Sequence, residues 1–174
     1  MENRAQNIIE FTVIYNRHKT KLYNYALKML YDKMLCDDII QNTFVKLFEN
    51  LEKVHNKESI QYWLFTTARN EIYSHFRDKK SHVDQFFTED SDEVEISLEK
   101  NIHDDFEEKE LRELIMNELN KMTIEQRDVF LLKEYGGFSY KEISRIIGID
   151  EELVKSRLYK TRQKLIKKLS AIVK

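Results

Sequence analysis

Residues 139–169 read SYKEISRIIGIDEELVKSRLYKTRQKLIKKL, and two helices joined by a tight turn can be read from them. Ser139 and Glu142 form an S-x-x-E capping box, in which each side chain satisfies the other residue's backbone N–H. Ile143, Ile146 and Ile147 then fall on one helical face. Gly148 follows the last apolar pair, where a helix C-terminus favours glycine for its positive φ. Ile149 anchors the turn, and Asp150 is placed to cap the next helix. A short helix, a turn near glycine and a longer basic helix spell a helix-turn-helix.

At about 100° per residue, Val154, Leu158, Thr161, Leu165 and Leu169 gather on one side of the second helix. Glu152, Lys155, Ser156, Tyr159, Lys160, Gln163 and Lys167 lie on or toward the other. From Leu153 to Lys174 there are eight basic residues and no acidic ones. A charge run most often marks a solvated face, but such a face usually mixes signs to gain i,i+4 pairs. A helix of one sign repels itself, and beside a helix-turn-helix signature it is the footprint of phosphate binding.

The chain has 174 residues, enough for one domain or two small ones, and 41% are hydrophobic. A formal net charge of −2 conceals a segregated distribution. Residues 1–80 carry +3, residues 81–108 carry −10, residues 109–152 carry −3, and the tail from 153 carries +8. The one cysteine, Cys36, excludes an internal disulfide and a cysteine zinc cluster. That usage fits a reducing cytoplasm, and the start MENRAQNIIEF lacks the apolar core of a signal peptide. No apolar run approaches membrane-spanning length. There is no proline, and the three glycines all lie between Gly136 and Gly148. The expectation is an all-α protein of two small helical domains joined by an acidic flexible linker, the C-terminal domain a helix-turn-helix.

Residues 5–31 carry Ile8, Phe11, Ile14 and Tyr15, then Leu22, Tyr25, Ala26, Met29 and Leu30, at the spacing of one interrupted helix or two. Asp37 is placed to cap a helix over 38–51 with the stripe Ile40, Phe44, Leu47, Phe48 and Leu51. After the polar EKVHNKE, Ser59 is placed to cap a helix running to about Arg77 through Ile60, Trp63, Leu64, Thr67, Ala68 and Ile72. Three such helices close a small bundle. Residues 81–106, SHVDQFFTEDSDEVEISLEKNIHDDF, lose the periodicity and gain acids, the composition of a linker with partial disorder. Phe86 and Phe87 are expected to dock somewhere. Beyond it, Leu111, Leu114, Ile115 and Leu119 mark one helix. Thr123 with Gln126 opens another through Val129, Phe130 and Leu132, ended by Gly136-Gly137.

At this point the chain resembles a known family, the extracytoplasmic-function (ECF) sigma factors of bacterial RNA polymerase, within the sigma-70 family. MTIEQRDVFLLKEYGGFSYKEISRIIGIDEELVKSRLYKTRQKL is similar to that family's fourth conserved region. CDDIIQNTFVKLFENL resembles the core-binding helix of the second, with Asp38, Gln41 and Phe44 in family positions and Asp37 beside them. QYWLFTTARNEIYSHFRDKK resembles the helix that opens promoter DNA, with Trp63, Asn70 and Arg77 in family positions. The loop Glu52–Glu58 resembles the segment that captures a flipped base, where His55 and Asn56 supply polar edges. The sequence departs from the family at Met122-Thr123 and Ile149-Asp150, where prolines are frequent, and at Asn42, where glutamate is common.

The resemblance implies residues 1–80 as the core-binding and minus-ten domain, 81–106 as linker, and 107–174 as the minus-thirty-five domain. It implies core RNA polymerase and promoter DNA as partners, with an anti-sigma factor as a frequent third. It places Lys155, Ser156, Tyr159 and Lys160 at the upstream element, with Arg157, Arg162 and Gln163 as further DNA-binding residues. Lysines there serve phosphates or guanine. For Trp63, core packing is the competing role, and for Asp37 and Asp38 it is N-capping.

A stand-alone helix-turn-helix regulator with a sensory N-terminal bundle is the alternative, but it has no need of the aromatic and basic helix 59–80. An enzyme is the third class. The acids Glu89, Asp90, Asp92, Glu93 and Glu95 lack the glycine and terminal glutamate of a calcium loop. His18, His55, His75, His82 and His103 are scattered, and no nucleophile–base pair or phosphate-cradling glycine loop is visible. Neither metal nor cofactor is expected.

Overall fold

The computed structural model of the chain describes residues 2–54, 56, 58–83 and 106–172. Among them are seven α-helices and one 3-10 turn. These are α1 (Glu2–Leu30), α2 (Lys33–Asn50), the turn Leu51–Lys53, α3 (Ser59–Val83), α4 (Phe106–Asn120), α5 (Ile124–Glu134), α6 (Tyr140–Ile147) and α7 (Glu151–Ile172). They form two compact units, α1–α3 and α4–α7. The bulk of the acidic stretch, residues 84–105 with Phe86 and Phe87, lies outside the described residues, as does His55.

In the first unit all three helices pack on one another. Residues 5–31 hold one continuous helix, because the polar run Asn16–Lys21 turns toward solvent without breaking the backbone. Leu22, Tyr25, Ala26 and Met29 of α1, Ile40 and Leu47 of α2, and Leu64, Phe65 and Ile72 of α3 form the core. The Tyr25 and Phe65 rings meet at 5.4 Å.

Helix α2 starts earlier than the spacing suggests. Tyr31 takes a left-handed φ of 54°, and Asp32 is the N-cap, its carboxylate accepting from the Leu35 N–H at 2.9 Å. Asp37 is therefore a mid-helix surface residue and not a cap. Three aspartates compete for the capping role in sequence. The one that wins is set by where the chain leaves α1, at a non-glycine left-handed residue that costs about 1–2 kcal/mol. Ser59 is likewise the first helical residue of α3. Its N–H and hydroxyl both donate to the Asn56 carbonyl, at 3.1 and 2.6 Å. Helix α3 continues to Val83, past the expected end near Arg77.

Cys36 is fully buried in this unit, its thiol donating to the Tyr23 carbonyl at 3.6 Å. Burial foremost, then Asp37 and Asp32, pushes the thiol up to about 12. Below the ordinary thiol range near pH 8.5 this costs nothing. Above it only the unfolded chain ionises, so stability is lost as pH rises toward the folded value. An aromatic disulfide reagent at pH 8 should label Cys36 only as denaturant unfolds the chain; fast labelling of the native protein would contradict this burial.

In the second unit α4, α5 and α6 pack against α7. The core is Leu119, Val129, Leu131, Leu132, Phe138, Ile143, Ile146, Val154, Leu158 and Leu165. Thr123 caps α5, accepting from the Gln126 N–H at 3.3 Å. At Gly136 an added Cβ would lie 2.6 Å from both the Leu132 carbonyl oxygen and the Phe138 ring, so only glycine lets Phe138 fold back into the core.

Candidate functional site

The helix-turn-helix is locked by hydrogen bonds, of which the sequence announces the capping box. The Ser139 hydroxyl accepts from the Glu142 N–H at 3.2 Å, and the Glu142 carboxylate accepts from the Ser139 N–H at 2.6 Å. Gly148 ends α6 in the left-handed conformation at φ 78°, which removes the steric cost any side chain would meet there. The Ser144 hydroxyl then donates to the Ile149 carbonyl at 2.6 Å, pinning the turn to α6. Asp150 precedes α7, its carbonyl accepting from Leu153 and Val154 at 3.0 and 3.1 Å.

Val154, Leu158, Thr161 and Leu165 bury one side of α7. Lys155, Ser156, Tyr159, Lys160 and Gln163 are all exposed, Tyr159 by 65%. Arg157 is half-buried on the flank. The helix does not simply repel itself. Lys155 Nζ stands 2.9 Å from Glu152 and 3.4 Å from Glu151, and these two carboxylates hold its ammonium above the ordinary lysine value. It also lies 5.9 Å from the centre of the Tyr140 ring. Arg162 pairs with Glu134 of α5, which raises the guanidinium above its ordinary value. Lys164 donates to the Gln126 side chain at 3.1 Å. Two of the cations counted as one-signed charge thus clamp α7 onto α5, a fact only tertiary packing supplies.

In the first unit, Trp63 is half-exposed and lines a cavity of about 590 Å³ with Leu47, Asn50, Lys53, Val54, Asn56, Ser59 and Ile60. Trp63 is therefore neither a core residue nor a free surface one. The Asn56 side-chain oxygen accepts from the Glu58 N–H at 2.9 Å, which shapes the loop beside the cavity. Asn70 and Arg77 are exposed. Trp63, Asn70 and Arg77 repeat every seven residues along the unbroken α3, so they share one stripe about 21 Å long at 1.5 Å per residue.

On α2, Asp37, Asp38 and Gln41 are exposed, and Phe44 is 3% exposed. Phe44, which the resemblance counts with the polymerase-binding positions, is thus a core residue of the α1–α3 unit, as its place in the apolar stripe implies. Its ring meets Tyr15 at 4.7 Å and Phe11 at 6.3 Å, so it seals α1 against α2. Sequence reasoning passed over the apolar residues that this helix leaves exposed. Met34 and Val45, 78% and 55% exposed, and the half-exposed Phe48 share the outer face with Asp38 and Gln41. The i, i+4, i+7, i+11 spacing of 34, 38, 41 and 45 carried that signal.

Among the described residues no group of three or more His, Cys, Asp and Glu could hold a metal ion, and no helix is long and apolar enough to cross a membrane.

A capped helix-turn-helix in one unit and a three-helix bundle with a tryptophan-lined cavity in the other define the architecture of a two-region sigma subunit. The sigma-70 region 2 family model matches residues 14–82, and the sigma-70 region 4 model matches residues 112–165. The ECF RNA polymerase sigma factor SigL of Mycobacterium tuberculosis is 30% identical over 155 residues, covering 84% of this chain and 81% of that protein. SigM, an ECF RNA polymerase sigma factor of Bacillus subtilis, is 28% identical over 153 residues, covering 87% and 90%. The fold is that of the sigma factor RpoE solved with the anti-sigma factor NepR from Bartonella quintana, at 23% identity and a TM-score of 0.76, covering 92% of this chain and 97% of that one. The chain belongs to the ECF sigma factors. It partners core RNA polymerase and directs promoter-specific initiation.

Proposed function

We propose that residues 1–80 dock on core polymerase and recognise and melt the minus-ten element, that residues 107–174 read the minus-thirty-five element, and that the acidic residues 81–106 join them. The observation that carries this reading is the outer face of α2, where Asp38 and Gln41 stand among exposed Met34, Val45 and Phe48. An exposed apolar strip rimmed by polar residues is a protein-docking surface. A stand-alone regulator would have no use for it beside a separate DNA-reading unit. Upstream, Lys155, Ser156, Tyr159, Lys160 and Gln163 face base edges while Arg157 and Arg162 serve phosphates. Downstream, Trp63 and Asn56 take a flipped base into the cavity, with His55 at the same loop, and Asn70 and Arg77 track the opened strand. The subunit has no chemistry of its own and works in the cytoplasm. An anti-sigma factor is proposed as its inhibitor, since a structural neighbour is described in complex with one.

Asp38→Arg with Gln41→Ala reverses one charge and removes one hydrogen-bonding group on this face without touching the core. Binding to core polymerase should weaken at least about tenfold, with helicity by circular dichroism unchanged. Undiminished retention of polymerase in a pull-down would sink the assignment of α2.

A further inference from the structure

We infer that Glu152 determines specificity at the upstream element, and that with Lys155 it reads a single C·G base pair as a unit. The inference rests on α7 being the recognition helix. Glu152 is the second residue of α7, its side chain is 85% exposed, and its Oε1 lies 2.9 Å from Lys155 Nζ. Residues near the start of a recognition helix are the ones that reach base edges.

An ionised carboxylate carries acceptors only. In the major groove guanine presents two acceptors, thymine an acceptor and a methyl, and adenine an acceptor beside its amino group. Cytosine alone presents a donor with no acceptor beside it. Glu152 therefore finds an unopposed partner only in the cytosine amino group. The guanine paired with that cytosine offers O6 and N7 to a lysine. Within the pair, the cytosine amino nitrogen and guanine O6 sit one hydrogen bond apart, about 2.9 Å. The carboxylate and ammonium stand at the same separation, with their donor and acceptor roles reversed. Glu151, 3.4 Å from the same ammonium, keeps Lys155 at this end of the helix.

The plainer role for acids here is to complement the helix dipole. Glu151 and Glu152 would share that role, and neither would then alter a base preference. Core polymerase carrying the full chain, selected on a promoter library randomised across the upstream element, separates the two. The wild type should prefer C over other bases at one position by roughly tenfold. Glu152→Gln should move that preference to A, because an amide both donates to and accepts from the adenine edge. Glu152→Ala should flatten the same position and leave the others unchanged, and thermal melts should show both variants folded. A structured wild-type profile that neither substitution alters overturns this inference alone. A wild-type profile flat across the whole element overturns the assignment of α7, and this inference with it.

Discussion

Phe44→Ala should destabilise the α1–α3 unit by about 3–5 kcal/mol, the cost of emptying a buried phenylalanine site. The ring is 3% exposed and packs against Phe11 and Tyr15. Its removal opens the seam between α1 and α2 and leaves two aromatic rings without their central partner. The loss should appear as a lower denaturant midpoint for this unit, and polymerase binding should fall only as the unit unfolds. Phe44→Leu, which keeps most of the apolar volume, should recover most of the stability. If Phe44→Ala instead melted like the wild type and bound polymerase more weakly, the side chain would be a docking residue and its burial misleading.

The joint replacement of Lys155, Ser156, Tyr159 and Lys160 by alanine should nearly abolish recognition of the upstream element while leaving the fold intact. All four are exposed, opposite Val154, Leu158 and Leu165, and surface substitutions of this kind usually move stability by no more than about 0.5 kcal/mol. With about 1–3 kcal/mol for each good base contact, initiation that depends on the upstream element should drop at least about a hundredfold. Each lost phosphate contact should also reduce the salt slope by about one unit. The two lysines are not equivalent. Lys155→Ala leaves Glu151 and Glu152 without the cation that neutralises them, so two uncompensated negative charges are then brought up to the polyanionic DNA. Lys155→Ala should therefore weaken binding more than Lys160→Ala. Footprints of the holoenzyme at two salt concentrations measure both effects, and unchanged promoter choice by the fourfold variant would mean that another face reads the DNA.

Local signals carried much of the design. The Ser139–Glu142 box, the left-handed Gly148 and the isoleucine face of α6 lie where their spacing predicts, because each depends on residues within four positions of one another. The apolar stripe of α7 is equally local. The absence of proline and the confinement of glycine to residues 136–148 were enough to make the chain helical throughout its described elements.

What sequence determined alone was thus the class of fold, the helix-turn-helix with its caps, and the face of α7 turned from the core. These are set by nearest-neighbour chemistry along a single helix. Tertiary structure decided which of several equivalent residues took each role. Asp32 rather than Asp37 caps α2, because the turn at Tyr31 sets where the helix can begin. Phe44 goes inward and Val45 outward, because α1 brings Phe11 and Tyr15 to that side of α2. Arg162 and Lys164 hold α5 because Glu134 and Gln126, distant in sequence, stand opposite them. Periodicity can say that a residue lies on a face. Which neighbouring helix meets that face, and which charge waits there, depends on contacts between segments that one helix cannot encode.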